Sequence, residues 1–321
     1  NNYLTSFAVP RLTYIPSVKI DHNLSSTIKI SGYWSRQLSS NPNHNGLDEV
    51  LTSVTPQADR STTVRLNYDQ TLTPTTLLHL GAGLLYTTQA VIPQRYDPAT
   101  LGLIGYDTGA FPNFTGLSDA TTGGNGIGIG VGAFGNYKQY EAKPTFNANL
   151  TLVRGNHTLK FGGELLKEHA WEGYLTQWGG NIDHIYSNGV SSQVTFAFPT
   201  ATDAGSLSAH DKLNAQSALD QFGAFLNDTW AVGKATINAG ARYDRYRGWL
   251  PEQQQLAGFI AEWAPLFPSL ASRVTAKTFP QRDLFTWNVF APRIGVTYDL
   301  GGNGKTVLKA NYGLYWHNPG V

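Results

Sequence analysis

Cysteine and methionine are both missing from the 321 residues. Without cysteine there is no disulfide framework, no thiolate-held zinc or iron–sulfur site and no thiol nucleophile. Charge is scarce as well. Asp, Glu, Lys and Arg make up 14% of the chain and the formal net charge is +1, where an average soluble domain is about a quarter charged. A near-neutral chain lacks the electrostatic footprint of a nucleic-acid binder, so no nucleic-acid partner is expected. No run of about 18 apolar residues is present, which excludes a transmembrane helix, and no signal peptide opens the chain. Aromatic residues, by contrast, are plentiful at 12%, and glycines number 34. High aromatic content with low net charge argues against disorder. The start at Asn1 and the missing methionine read as a segment of a longer protein.

What is present is alternation. In Ala235–Asp244, Ile237, Ala239, Ala241 and Tyr243 fall on one side, and Thr236, Asn238, Gly240, Arg242 and Asp244 on the other. Successive strand side chains point to opposite faces, so this predicts a strand with one apolar and one polar face. The pattern recurs. Val64, Leu66 and Tyr68 oppose Arg65, Asn67 and Asp69; Phe146, Ala148 and Leu150 oppose Asn147 and Asn149; Leu159, Phe161 and Leu165 oppose Lys160 and Glu164. Farther on, Ile294, Val296 and Tyr298 oppose Arg293 and Thr297, and Leu308, Ala310 and Tyr312 oppose Lys309 and Asn311.

These strands come as hairpins, about ten strands in all. Tight turns are predicted near 21–25, 72–75, 154–156, 232–234 and 300–304, rich in Gly, Asn, Asp, Ser and Pro. Between the hairpins lie long connections at roughly 38–59, 89–137, 173–218 and 249–285. Residues 47–54 and 256–263 carry helical spacing, which predicts short rim helices.

Two architectures suit such strands: a soluble sandwich with its apolar faces inside, and a transmembrane barrel with its apolar face turned to lipid. Three features favour the barrel. Strands of about 10 residues match the 9–11 needed to span hydrocarbon, whereas typical strands run about 5–6. Short turns alternate with long connections, as in outer-membrane barrels with long extracellular loops. Trp34, Tyr86, Tyr243, Tyr298 and Trp316 sit toward strand ends, where an interfacial girdle lies. The expected fold is therefore all-β: an antiparallel transmembrane β-barrel segment, part of a larger barrel, with outer-membrane lipid around it.

Few motifs suggest other chemistry. Gly130, Gly132 and Gly135 match a dinucleotide-binding pattern, but no helix follows them. Gly304-Lys305-Thr306 resembles the end of a phosphate loop, yet runs into an alternating strand. No histidines pair at metal-ligand spacing, and no Gly-x-Ser-x-Gly elbow occurs. No enzymatic activity, cofactor or metal is expected. Tyr243, Arg245, Tyr246, Arg247 and Trp249 interleave aromatic and basic groups, which suits either base or sugar stacking or a strand leaving the membrane. Trp171, Tyr174 and Trp178 are expected just beyond a strand end. With Trp249 they are the candidate ligand-contact aromatics of the loops.

Three stretches carry a resemblance: His157-Thr-Leu-Lys-Phe-Gly-Gly-Glu164, Gln221–Trp230 with Ile237–Asp244, and Phe290–Leu300 with Gly304–Lys309. They resemble the barrel of TonB-dependent outer-membrane receptors, above all the Oar-like branch, whose members often carry a carboxypeptidase-regulatory-like domain. The resemblance covers roughly 157–172, 219–248 and 287–317. It implies a barrel of about 22 strands with a plugged lumen, in the outer membrane of a Gram-negative bacterium. It also implies uptake of a scarce nutrient coupled to the TonB complex through a plug. Residues 1–321 show ten strands and no plug, so plug and barrel C-terminus are expected outside them. The resemblance also allows a surface lipoprotein as a further partner. Glu164, Arg242, Asp244, Arg293 and Lys309 are the expected polar wall of the lumen. The alternatives are a passive channel or adhesin barrel, and a soluble surface or carbohydrate-binding β module.

Overall fold

The architecture is taken from a computed structural model, which describes residues 8, 10–41, 57–91, 116–119, 128–130, 137–174, 182–187, 190–196, 215–255 and 276–316. The expected rim helices at 47–54 and 256–263, most of the glycine-rich tract 123–135, and Trp178 lie outside these residues.

Every regular element among the described residues is a strand. The chain opens with β1 (Leu12–Tyr14) and β2 (Ser17–Asn23), followed by β3 (Ile28–Asn41), β4 (Gln57–Thr73) and β5 (Thr76–Val91). Two short pieces, β6 (Gly116–Asp119) and β7 (Gly128–Gly130), precede β8 (Tyr137–Arg154) and β9 (His157–Tyr174). Then come β10 (Ile182–Ser187), β11 (Val190–Phe196), β12 (Ala215–Val232) and β13 (Ala235–Leu250). β14 (Gln253–Gln255), β15 (Lys277–Phe279), β16 (Arg282–Asp299) and β17 (Val307–Gly313) complete the order.

Eleven of these strands form one sheet in the order β1-β3-β4-β5-β8-β9-β12-β13-β16-β17, with β2 beside β3. β1 and β2 pair with successive parts of β3, all pairs antiparallel, so together they act as one strand broken at Ile15-Pro16. Proline lacks the amide hydrogen a ladder needs, and its carbonyl instead accepts from Arg36 N at 3.0 Å. The sheet thus has ten strand positions joined in five hairpins, in the expected places.

The turns follow from local chemistry. Gly155 and Gly233 hold φ of +60° and +57° at the first residue of two-residue turns, a region where a Cβ is penalised. In the last turn the Asp299 carboxylate accepts from Gly302 N at 2.9 Å and Gly304 N at 2.8 Å. Backbone bonds then tie each turn region to the next hairpin: Thr71 N to Thr27 O, Val153 N to Thr75 O, Ala231 N to Asn156 O, and Asp299 N to Lys234 O. All short turns therefore lie along one end of the sheet, and the long connections leave from the other. Parts of two of those connections meet in a second sheet, β11-β10-β6-β7, and β14 pairs with β15.

Strands run longer than the alternation indicated. β8, β9, β12 and β16 each have 18 residues, against the 9–11 of a tilted membrane span. The surplus lies at the long-connection end. Trp171 and Trp249, expected in loops, consequently lie within β9 and β13, and Tyr174 closes β9.

The packing has no dry apolar centre. Among the described residues only Trp171, Ala218, Leu219 and Tyr246 form the buried hydrophobic set. The apolar face stays open: Leu66 is 59% exposed, Phe146 57%, Leu226 54%, Phe290 58% and Leu308 57%. A sandwich would bury these side chains; here nothing among the described residues covers them.

Candidate functional site

Register fixes which side chains share a face. Leu66 pairs with Ala82, Ala82 with Phe146, Phe146 with Leu165 and Leu165 with Phe222. Tyr243 then pairs with Phe290, and Ile294 with Tyr312. This apolar face bears a groove of about 910 Å³ lined by Leu66, Leu80, Phe146 and Leu165 among others.

Aromatics band this face at two levels. Near the turns, His157 stacks on Trp230 with ring centroids 5.3 Å apart. Near the other end, Tyr140 stacks on Trp171 at 5.2 Å, and Tyr86 lies 6.4 Å from each. From His157 to Trp171 along β9 the rise is about 47 Å at 3.3–3.4 Å per residue. Tilted by about 45°, that is about 33 Å along the normal, close to a hydrocarbon core of about 30 Å. The bands are spaced as interfacial girdles. Trp171 belongs to the upper one, within β9 and on the apolar face. Its indole is 3% exposed among these rings.

Over the spanning part of the sheet the opposite face carries most of the charged and amide groups, interrupted by apolar side chains such as Leu77, Leu85, Leu166 and Phe225. Its centre is an ion cluster. Glu164 of β9 is the register partner of Gly223, and Gly223 of Asp244, so the three stand in one row across β9, β12 and β13. Arg242 lies two residues from Asp244 on the same face. Its guanidinium donates from Nε to Asp244 Oδ2 at 2.8 Å and from Nη2 to Asp244 Oδ1 at 2.7 Å. Nη2 also donates to Glu164 Oε1. The bridge passes over Gly223. A Cβ there would stand 2.6 Å from Arg242 Nη2 and 2.7 Å from Asp244 Oδ1, too close for either atom. Glycine is required because the guanidinium uses that space. Bidentate geometry makes the Arg242–Asp244 contact directional as well as electrostatic, and Asp244 is 6% exposed.

The five expected wall residues thus share a face, but only Glu164, Arg242 and Asp244 meet. Arg293 pairs with Gly240 and Gly313, and Lys309 with Thr297; both are exposed. Further charges stand on this face; Asp69 and His79 follow from the alternation, whereas Glu141, Lys143 and Glu168 are missing from the sequence reading. Lys143 Nζ lies 2.8 Å from Glu141 and 3.2 Å from Glu168. His79 Nδ1 lies 2.7 Å from Asp69 Oδ1. The signal for the former was present in Glu141 and Lys143, two apart and so on one face. The alternating run is read only from Phe146 onward, and these two charges stand ahead of it.

Trp249 is likewise engaged on the apolar side, above the turn-proximal residues that cross hydrocarbon. Its Nε1 donates to Asp220 Oδ2 at 3.1 Å, and Arg247 lies 5.2 Å over its ring. Arg247 also donates to Asp283 at 2.6 Å. That guanidinium holds the Asp283 carboxyl below the ordinary carboxylate range. The interleaved aromatic and basic residues here are bonded to strand carboxylates. Among the described residues, no group of three or more His, Asp or Glu side chains could hold a metal ion.

With this geometry in view, likeness to known proteins can be placed. A family model described as an outer membrane beta barrel domain matches residues 1–321. Among curated proteins no match was found. Among solved structures, the outer membrane transporter YddB from Escherichia coli aligns over 94% of this chain and 40% of its own, at 12% identity and a TM-score of 0.55. The open form of the ferric-catecholate import receptor Fiu from E. coli K12 aligns over 97% and 48%, at 12% identity and a TM-score of 0.57. The copper transporter OprC aligns over 94% and 37%, at 11% identity and a TM-score of 0.52. This chain spans less than half the length of each of them. At such identity the likeness is one of fold: the strand order and two-faced sheet are those of outer-membrane transporter barrels. The exposed apolar face, the girdles and the family match lead to one conclusion: the chain belongs to the outer-membrane β-barrel domain family and is a protein of the outer membrane.

Proposed function

We propose that this chain is part of the barrel of a TonB-dependent outer-membrane receptor that takes up a scarce nutrient, of the Oar-like branch. Three things support this reading. The fold is shared with two transporters and an import receptor. The sequence resemblance falls on β9, β12, β13, β16 and β17. Above all, a charged cluster stands on the face turned away from lipid. In a barrel that face lines the lumen, and Glu164, Arg242, Asp244, Arg293 and Lys309 are its wall.

A wall of ion pairs suits a passage that is closed by a plug and opened on demand. Its pairs can be exchanged for pairs with the plug or the cargo, whereas an apolar wall would hold a plug by burial alone. The plug, the TonB contact, the remaining strands and any surface lipoprotein belong to this proposal. The cargo of the solved neighbours does not transfer with their fold.

The test is uptake by cells that make the whole protein, with and without TonB. Loss of uptake without TonB supports the reading. An isolated full-length barrel that conducts steadily without TonB is a passive channel. Surface attachment with a closed lumen makes it an adhesin.

A further inference from the structure

On the same face as Arg242, at the end where the long connections leave, two adjacent rows of side chains cross the sheet. Ser61 pairs with Thr87, and Thr87 with Glu141. One step farther from the turns, Asp59 pairs with Gln89, and Gln89 with Gln139. Register partners point to one face, and these six side chains line a cavity of about 620 Å³. That is the size of a small-molecule site. Arg60 sits between Asp59 and Ser61 and is turned to the other face.

The groups are already ordered. Gln89 Nε2 donates to Asp59 Oδ1 at 3.0 Å, as does Gln57 Nε2. Thr87 Oγ1 donates to Glu141 Oε2 at 3.3 Å. Arg11 lies 3.8 Å from Asp59, and Lys143 2.8 Å from Glu141. Asp59 is filled by Gln57 on both oxygens, Gln89 and Arg11, whereas Glu141 has its counter-ion and still has lone pairs to offer, because an ionised carboxylate accepts at about four sites.

This chemistry selects among ligand classes. An anion would face two carboxylates whose cations are taken. A peptide carrying large apolar side chains would find only the methyl groups of Ala170 and Ala215 on this face of the cavity, with the rings of Tyr140 and Trp171 at its edge. A small cation would have to displace Arg11 or Lys143. A neutral polyol fits each group: its hydroxyls donate to carboxylate and amide oxygens and accept from amide N–H and threonine or serine O–H.

We propose that this cavity binds a neutral oligosaccharide at the outer mouth of the barrel. The proposal rests on the transport reading and names its class of cargo.

The experiment uses the full-length protein in detergent and isothermal titration with maltohexaose, xylohexaose, cellohexaose and mannohexaose, with an anionic ferric tris-catecholate as contrast. At least one hexasaccharide binds, and the ferric complex does not. Gln89→Ala, Gln139→Ala and Thr87→Val each weaken that binding about 5- to 50-fold, and Ser61→Trp, which fills the cavity, abolishes it. Mobility on gels before and after boiling confirms that each variant is folded; for one that is not, the other three decide. Sugar affinity unchanged in the folded variants overturns the proposal, as does binding of the ferric complex alone or of no probe at all. The transport reading fails separately. A barrel that binds the sugar but imports it equally well without TonB keeps the site and loses energy coupling. TonB-dependent uptake confined to the ferric complex does the reverse.

Discussion

Leu226 and Asn227 are consecutive residues, and they live in different solvents. Leu226 is 54% exposed on a face that nothing else among the described residues covers. Asn227 points the other way, its Oδ1 leaning over the space a side chain at Gly240 would need. The same division runs through every long strand of the sheet. On one face, apolar groups stand open and in register, with aromatics banding both levels. On the other, small residues make room for amides and ions that bridge strands. In a water-soluble protein this distribution would be unstable, because open apolar area costs about 25 cal/mol per Å². In lipid it is the stable one, and the polar face is the one that needs partners.

The largest effect should come from putting charge on the open face. Leu226→Arg is expected to destabilise the folded barrel by about 2–4 kcal/mol, the cost of Arg near the bilayer midplane. Asn311→Arg, on the polar face of β17, should stay within about 0.5 kcal/mol of the parent, as exposed substitutions do. Unfolding in urea with the protein in lipid vesicles measures both. Equal costs would break the comparison.

The next effect lies at the ion cluster. Arg242→Ala leaves Asp244, 6% exposed, without its bidentate partner. Breaking a buried pair costs about 3–5 kcal/mol. The Arg242 side chain is 26% exposed, so about 1–3 kcal/mol is expected after allowance for screening. Gly223→Ala should act on the same bridge, since its Cβ would displace the guanidinium. A double-mutant cycle between the two should show coupling, and additive losses would mean that Gly223 serves something else.

How far the sequence carries such arguments depends on what sets the pattern. Period two exposed the hairpins, the turns and both faces, because lipid on one side and polar lumen on the other constrain every second residue. The strand ends were not legible. Beyond the hydrocarbon the constraint lapses, and in β9 the run Glu168-His169-Ala170-Trp171 no longer alternates cleanly. Trp171 and Trp249 were therefore placed in loops, and Glu141 and Lys143 were passed over. Within one strand, Arg242 and Asp244 could be paired from their spacing alone. Glu164 joins them from 78 residues away through the register of β9, β12 and β13, which no local pattern reveals.

Smaller effects belong to the turn end. Gly233→Ala forces a side chain into the left-handed region at φ +57°, at a cost of about 1–2 kcal/mol. It should lower stability without moving the faces, measurable as a shift in the urea midpoint. The smallest effect concerns the Arg247–Asp283 pair at the opposite end. Its carboxyl titrates below the ordinary value of 3.8 in the folded protein, so the pair contributes fully above that pH. The contribution fades as pH falls through the lower folded value. Asp283→Asn should therefore lower the melting temperature slightly at pH 7, and the difference from the parent should shrink as the pH falls below 3.8. A difference that grew on acidification would contradict the assignment.

One measurement bears on the whole account. The 321 residues hold no cysteine, so single cysteines can be placed at will. Bimane attached at Phe161, Leu226 and Leu308, and at the neighbouring Lys160, Asn227 and Lys309, can be read in vesicles whose acyl chains carry bromine. The account predicts strong quenching at the first three positions and little at the second three. Quenching at Lys160, Asn227 and Lys309 instead, or equally at all six, would contradict it.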